Sequence, residues 1–250
     1  MINKKNSLQA LQNGQRTPEA VKLIIKICQK IPPLPSSILE LLQKLANPES
    51  SVRDIGQIIE RDQALSAMIL KQVNSAYYGL PRKVYSLRQA VALLGINEIR
   101  HLALRLSLRK TLLSEEDLFL HALKVATLSE LRSGEIDPSL AYTAGLLHDI
   151  GKLVLKITFK ESYQRLRGQG LWGPALQQAE RELFHLDHAE AGGLLAEFWQ
   201  LPPVLVEAIK NHHLSQEGVA GLVRETDEAL NTGQLSDAGQ KIISQIEQDQ

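Results

Sequence analysis

The segment Gly145-Leu-Leu-His-Asp-Ile-Gly-Lys152 places a histidine and an aspartate side by side in a largely apolar stretch. Asp137-Pro138, a helix cap followed by a first-turn proline, predicts a helix over Ser139–His148 that ends at this pair. The pair suits metal chemistry, because the Asp149 carboxylate can bridge two ions while the His148 imidazole binds one of them. The segment therefore predicts a helix end that carries metal ligands.

Further predicted helices each present an inward-facing histidine. A lone inward histidine is most often a neutral core residue bonded to backbone or to a carboxylate. Several on different helices, together with an aspartate, favour a shared metal ion, because burying unrelated imidazoles is costly. Imidazole and carboxylate are good ligands for zinc, manganese, iron or nickel. The additional positions are His121 in the predicted helix Glu115–Ser133, His188 in His188–Trp199, and His212 in Pro203–His212.

The rest of the chain also has helical periodicity, and β-type alternation of useful length is absent. The proline-rich segment Ile31–Pro35 separates a first helix from a second, because proline is incompatible with a helix interior. The sequence therefore predicts an all-α fold. The other predicted helices are Val52–Glu60, Gln63–Asn74, Leu87–Leu94, Glu98–Leu112 and Pro174–Phe184.

The composition is that of a folded protein without strong charge. Its 250 residues include 28 Lys and Arg against 28 Asp and Glu, and 44% are hydrophobic. Zero net charge argues against a protein that holds nucleic acid or an anionic membrane by bulk positive charge. The single cysteine, Cys28, excludes an intrachain disulfide framework. Neither a secretory signal nor a membrane-spanning apolar run is visible, so we expect no membrane association and a cytoplasmic location.

One helix carries a cluster of basic residues. Arg100, His101, Arg105 and Arg109 all lie in the predicted helix Glu98–Leu112. They could form a face for nucleic acid or an anionic ligand, but the neutral charge of the chain and the lack of a DNA-binding motif favour a solvated face. Nucleic acid is therefore not expected as a partner.

The segment Gly145–Lys152 resembles the signature of the HD superfamily of metal-dependent phosphohydrolases. Other segments resemble the HDOD domain, the HD-related output domain of bacterial signalling, and the resemblance covers about residues 20–230. It implies an HD-like helical bundle with an additional N-terminal helical subdomain. The segments are Ile31–Pro35, Ile59–Asp62, Leu70–Gly79, Leu87–Gly95, Phe198–Pro202 and Ala208–His213.

The domain boundaries follow from the same comparison of segments. Residues 1–16 are predicted to be a flexible N-terminus, and residues 17–230 are predicted to form the HDOD domain. Within it, residues 17–112 would form the N-terminal helical half and residues 113–230 the HD-like half. The polar tail, residues 231–250, is predicted to be a frayed final helix or partly disordered.

The resemblance also implies a set of site residues. The HD pattern is a histidine, a His-Asp pair and a later aspartate, while the HD-GYP subgroup, which hydrolyses cyclic dinucleotides at a multi-metal centre, adds further histidines and a lysine. Asp149 would bridge two ions, and Lys152 would stabilise negative charge on phosphoryl oxygens. His213 is either a ligand or a residue that orients another ligand. The implied ligands of one or two ions are His121, His148, Asp149, His188, His212, His213 and Asp227.

The chain departs from the HD-GYP pattern directly after these histidines. Leu214-Ser-Gln-Glu217 stands where that subgroup has a glutamate followed by a Gly-Tyr-Pro segment. The departure argues against a cyclic-di-GMP phosphodiesterase.

The sequence supports three hypotheses about function, each of a different class. The first is a regulatory signalling output domain that acts on an unidentified partner through protein or small-ligand contacts, with an HD-type metal site. The alternative is a metal-dependent phosphohydrolase acting on a nucleotide or another phosphoester. A third hypothesis is a binding module that senses a nucleotide without turning it over.

Overall fold

The computed structural model describes residues 18–45, 51–112 and 115–248, and within these ranges the chain is helical and contains no strand. The prediction of an all-α fold is confirmed. The predicted flexible N-terminus, residues 1–16, lies outside the described residues. The first helices are α1 (Pro18–Cys28), α2 (Ser36–Leu45), α3 (Val52–Arg61), α4 (Gln63–Val73) and α5 (Leu87–Leu112).

The second part of the chain supplies the helices that surround the candidate site. Of the described helices, none is long and apolar enough to cross a membrane. The later helices are α6 (Glu116–Leu131), α7 (Pro138–Leu147), α8 (Ile150–Arg167), α9 (Gly173–Phe184), α10 (His188–Phe198), α11 (Pro203–Asn211), α12 (Gly218–Thr232) and α13 (Asp237–Gln248).

Local signals in the sequence set several helix ends. Asp137 accepts a hydrogen bond from the backbone N–H of Leu140 and begins α7, as predicted. Within α5, Gly95 has φ +80°, a left-handed conformation that glycine adopts without a steric penalty. The two helices predicted on either side of Gly95 are therefore joined end to end across a kink.

The helices form two packed groups around a continuous core. Helices α2 to α5 pack on one another, while α7 packs on α6, and α10 packs on both α8 and α11. The first helix, α1, lies against α8 and α10 rather than only against its sequence neighbours. Buried apolar residues from both groups belong to one cluster, so the two groups share a core.

Two segments are more ordered than the sequence patterns indicated. No helix was predicted between residues 149 and 173, yet α8 spans Ile150–Arg167. The polar tail contains α13, which packs against α6 and forms an ion pair between Glu247 and Lys124. Tertiary contact therefore supports a terminal helix whose own sequence has few apolar residues.

The basic helix is buried where a solvated face was predicted. Arg100 and His101 are only 8% and 4% exposed, because α5 is covered by α6 and α7. The ring of His101 stacks on that of Tyr142 with 3.8 Å between their centroids. Burial together with the charges of Arg100 and Arg105 lowers the pKa of His101 to about 3, so this imidazole is neutral. The prediction of a solvated face was wrong for these two residues.

Helices α8 and α10 approach closely beside the His-Asp pair. A Cβ atom on Gly151 would lie 1.8 Å from the backbone oxygen of His188 and 2.4 Å from the backbone nitrogen of Gly192. These contacts are with backbone atoms, which cannot move aside as a flexible side chain can. Glycine at position 151 therefore sets the distance between two helices that carry candidate ligands.

Gly151→Ala is expected to destabilise the fold by about 3 kcal/mol or more, at the upper end of overpacking effects. Thermal unfolding followed by circular dichroism should show a fall in Tm of roughly 6–12 °C. The matched control is Gly56→Ala on α3, where a Cβ meets nothing within 4 Å. It should stabilise the protein by about 0.5–1 kcal/mol, because alanine favours the helix. Equal Tm values for the two variants would contradict the close approach.

Candidate metal centre

The predicted site residues come from six helices or their ends and converge on one point. Most lie at helix ends, where a side chain can reach across to a neighbouring helix. Their assignment as metal ligands stays a prediction, and the structure supplies their positions. His121 lies on α6, His148 and Asp149 lie between α7 and α8, Lys152 is in the first turn of α8, His188 begins α10, His212 and His213 follow α11, and Asp227 lies on α12.

The carboxylate of Asp149 is at the middle of this arrangement and is only 1% exposed. Its Oδ2 atom lies 3.4 Å from His121 Nε2 and 3.3 Å from His148 Nε2. Its Oδ1 atom lies 3.3 Å from His188 Nε2 and 3.8 Å from His212 Nε2. The two oxygens therefore face two different pairs of imidazoles.

The potential ligand atoms fall into two groups, each with its atoms within 4.8 Å of one another. The first consists of His121, His148 and Asp149, and the second of His188, His212 and His213. Asp227 Oδ1 lies 3.1 Å from His121 Nε2 and so adjoins the first group. Asn231 donates a hydrogen bond to the same Asp227 oxygen at 2.8 Å and helps to fix it.

His148 and His212 are oriented by the same kind of hydrogen bond to the helix that precedes each of them. His148 Nδ1 donates to the backbone oxygen of Gly145, and His212 Nδ1 donates to that of Ile209, both at 2.7 Å. Each histidine directly follows its helix and bonds a carbonyl that has no partner within the helix. With Nδ1 protonated in this way, the neutral ring presents the lone pair of Nε2 to Asp149.

This orientation brings hydrogen-bond acceptors together in a buried space. Among the described residues, the Nε2 atoms of His148 and His212 and Oδ1 of Asp149 are buried without a hydrogen-bond partner. His188 Nε2 and His213 Nε2 lie 2.9 Å apart, so one shared proton at most can lie between them. Buried acceptors that face one another are unfavourable unless a cation lies between them. The donor set fits divalent metal ions with imidazole and carboxylate ligands.

The charge states agree with this donor set. Burial, with His213 and His148 nearby, lowers the pKa of His212 well below its ordinary value. Burial and the neighbouring His188 lower the pKa of His213 to about 4. Both imidazoles are therefore neutral at pH 7 and have a lone pair free for a metal ion.

The first group carries the negative charge. Burial would raise the pKa of Asp149, but His148 and Lys152 hold it well below its ordinary value. Burial would likewise lower the pKa of His148, but the adjacent Asp149 carboxylate raises it overall. A proton on His148 would thus occupy the place that a metal ion would otherwise take. Lys152 donates to Asp149 Oδ2 as a further cation at this oxygen.

Glu180 on α9 is a site residue that the sequence analysis missed. Its side chain is fully buried, and its Oε2 atom accepts hydrogen bonds from His188 Nδ1 at 2.6 Å and from the His188 backbone N–H at 2.9 Å. Tyr163 donates to Oε1 of the same carboxylate at 3.3 Å. The available signal was the spacing of Glu180 with Leu176 and Phe184, both buried, which places it on the inner face of α9.

This fold and this site define a class of protein: an all-α protein with a buried cluster of histidines around one aspartate. The chain matches the HDOD domain over residues 31–215 and belongs to that family. The resemblance that the sequence motifs indicated is thereby confirmed.

Similar proteins are found in several bacteria. An uncharacterised protein of Treponema pallidum is 29% identical over 222 residues, which cover 81% of this chain but only 42% of that protein. A Shewanella amazonensis protein provisionally named a phosphohydrolase has a TM-score of 0.65 and 25% identity, covering 90% of this chain and 86% of its own. A Marinobacter aquaeolei protein provisionally named a signal transduction protein has a TM-score of 0.69 at 22% identity, covering 86% and 54% of the two chains. The similarity to the Marinobacter aquaeolei protein is a similarity of fold.

Glu180→Gln is expected to weaken metal binding at the second group by about 10–100-fold, as for other carboxylates that orient a metal-binding histidine. The amide keeps the size of the side chain but cannot accept two hydrogen bonds on a charged oxygen as the carboxylate does. Calorimetric titration of apo-protein with Mn²⁺ measures the affinity. The control is Glu182→Gln on the same helix, whose side chain instead contacts the exposed Gln178. Equal affinities for both variants would contradict the role of Glu180.

Proposed function

We propose that this HDOD domain is a signalling module built around a centre for two divalent metal ions, and that the centre binds a phosphate-bearing ligand. The main support for two metal ions is the position of Asp149, whose two oxygens each face a different pair of histidine Nε2 atoms. A carboxylate placed in this way can bridge two ions. The family and the names of the similar proteins support both signalling and phosphoester chemistry.

The residues divide between the two proposed ions as their geometry suggests. His121, His148 and Asp227 would hold one ion, and His188, His212 and His213 would hold the other, with Asp149 shared between them. Manganese, iron, zinc and nickel all accept imidazole and carboxylate ligands, so the ligand set leaves the metal open among these. When bound, such ions supply positive charge that polarises a phosphoryl group and activates water.

The chain's own residues would orient and stabilise the ligand around that charge. Lys152 is 14% exposed at its side chain, and its ammonium already lies on Asp149 Oδ2. With metal ions held by these residues, the Lys152 ammonium would be available for the oxygens of a phosphate group in the same space. His121 is 24% exposed at its side chain, whereas His148, His188 and His212 are fully buried. His121 and Lys152 therefore form the solvent-exposed edge of the first group.

Phosphoester hydrolysis is the second candidate function, and the position of Asp149 between the two ligand groups favours it. A regulatory domain that used the helices only as a protein-binding scaffold would not need buried histidines with bare Nε2 atoms. The proposed upstream signal or partner is of one of two kinds: a signalling protein or a small phosphate-bearing ligand.

The test of the proposed centre is the metal content of the purified protein, measured by elemental analysis after growth in metal-replete medium. Up to two equivalents of metal are expected in the wild type. Asp149→Asn keeps the shape of the side chain but removes the charge, and it should reduce the content of both ions. Circular dichroism checks that the variant is folded.

His185→Asn is the matched control for this measurement. His185 is exposed and has φ +64°, a conformation that asparagine tolerates. This variant should retain the wild-type metal content. A wild-type protein that stays metal-free, or an Asp149→Asn protein with undiminished content, would refute the proposed centre. Turnover is tested separately with phosphoesters in the presence of Mn²⁺, where Asp149→Asn should be inactive.

A further inference from the structure

A cleft opens beside the second ligand group, between α9 and the turn after α11. We propose that this cleft, which rests on the proposed function, binds the organic part of a nucleotide-sized phosphoester whose phosphate group reaches the metal centre. Its volume is about 600 Å³, which is within the usual range for a small-molecule site. The lining residues are Pro174, Gln177, Gln178, Arg181, Glu182, His213 and Leu214.

His213 connects the cleft to the centre. It lines the cleft, and its Nε2 atom lies 2.9 Å from Nε2 of the fully buried His188. His213 is partly exposed, unlike His188 and His212, so it is the histidine of this group that a ligand in the cleft can reach. A molecule seated in the cleft therefore contacts His213 directly and is separated from the buried His188 by that imidazole ring.

Arg181 supplies an anchored positive charge at the cleft. Its guanidinium forms an ion pair with Asp187, which is fully buried and also accepts a hydrogen bond from Gln177 at 3.1 Å. Asp187 in turn caps α10, the helix that begins with His188. A guanidinium has five N–H donors, so those not directed at Asp187 remain for an anionic ligand. Because the side chain is already held, binding costs less conformational entropy than it would for a free arginine.

The remaining lining, which includes the Glu182 carboxylate, fits an organic group rather than a bare anion. Pro174 and Leu214 contribute apolar surface, and Leu214 is 65% exposed although it is a large apolar residue. The side-chain amides of Gln177 and Gln178 donate to Asp187 and Glu182, and their carbonyl oxygens can still accept from the edge of a heterocycle. A phosphoester with a planar or partly apolar body combines the groups that the cleft would contact.

The test compares two probes on the Mn²⁺-loaded protein by calorimetric titration: adenosine 5′-monophosphate and inorganic phosphate. Adenosine 5′-monophosphate should bind at least tenfold more tightly, because only it has a body that can occupy the cleft. Gln178→Trp places a large side chain in the cleft from an exposed helix position and should remove this advantage. Its affinity for inorganic phosphate and its metal content should stay at the wild-type values.

Gln164→Trp is the matched control, since Gln164 is also an exposed glutamine on a helix but does not line the cleft. It should retain the preference for adenosine 5′-monophosphate. The cleft proposal is overturned if metal-loaded wild type binds both probes equally, or if Gln178→Trp binds adenosine 5′-monophosphate as tightly as the control does. A protein that takes up no Mn²⁺ refutes the proposed centre instead, so the two failures are distinguished.

Discussion

The buried carboxylate of Asp149 is the constraint on which the arrangement of this molecule depends. A charge removed from water is tolerated only when cations or hydrogen-bond donors surround it. Lys152 supplies one cation here, and the Nε2 lone pairs of the surrounding imidazoles would hold metal cations beside the carboxylate. The side chains that face this carboxylate come from α6, α7, α8, α10 and the turn after α11. The positions of these helices relative to one another are therefore tied to one carboxylate.

Helix ends provide the means by which the fold meets this constraint. His148 and His212 each use Nδ1 to bond a terminal carbonyl of their own helix, which turns Nε2 inward. His188 begins α10, next to its cap Asp187, and the buried Glu180 fixes its ring. The same hydrogen bonds that complete the helices thus select the tautomers that leave acceptors facing Asp149. Structural and candidate functional roles are combined in single residues.

Much of this arrangement could be predicted from the sequence because its signals are local. Caps such as Asp137, the break at Gly95 and the inward positions of His121 and His188 all appear within a few residues. What the sequence could not predict depends on packing between distant segments. Glu180 has the residue type of a solvated helix position, and no local pattern reveals that it would contact His188. Arg100 and His101 were likewise taken as solvated, because no local pattern reveals that α6 and α7 cover them.

The most direct test of the central claim is anomalous X-ray diffraction from crystals of the protein prepared with Mn²⁺. Two peaks should flank Asp149, one near its Oδ2 atom beside His121 and His148, the other near Oδ1 beside His188 and His212. The absence of manganese peaks, with only water or the Lys152 ammonium between these side chains, would contradict the claim that Asp149 bridges two metal ions.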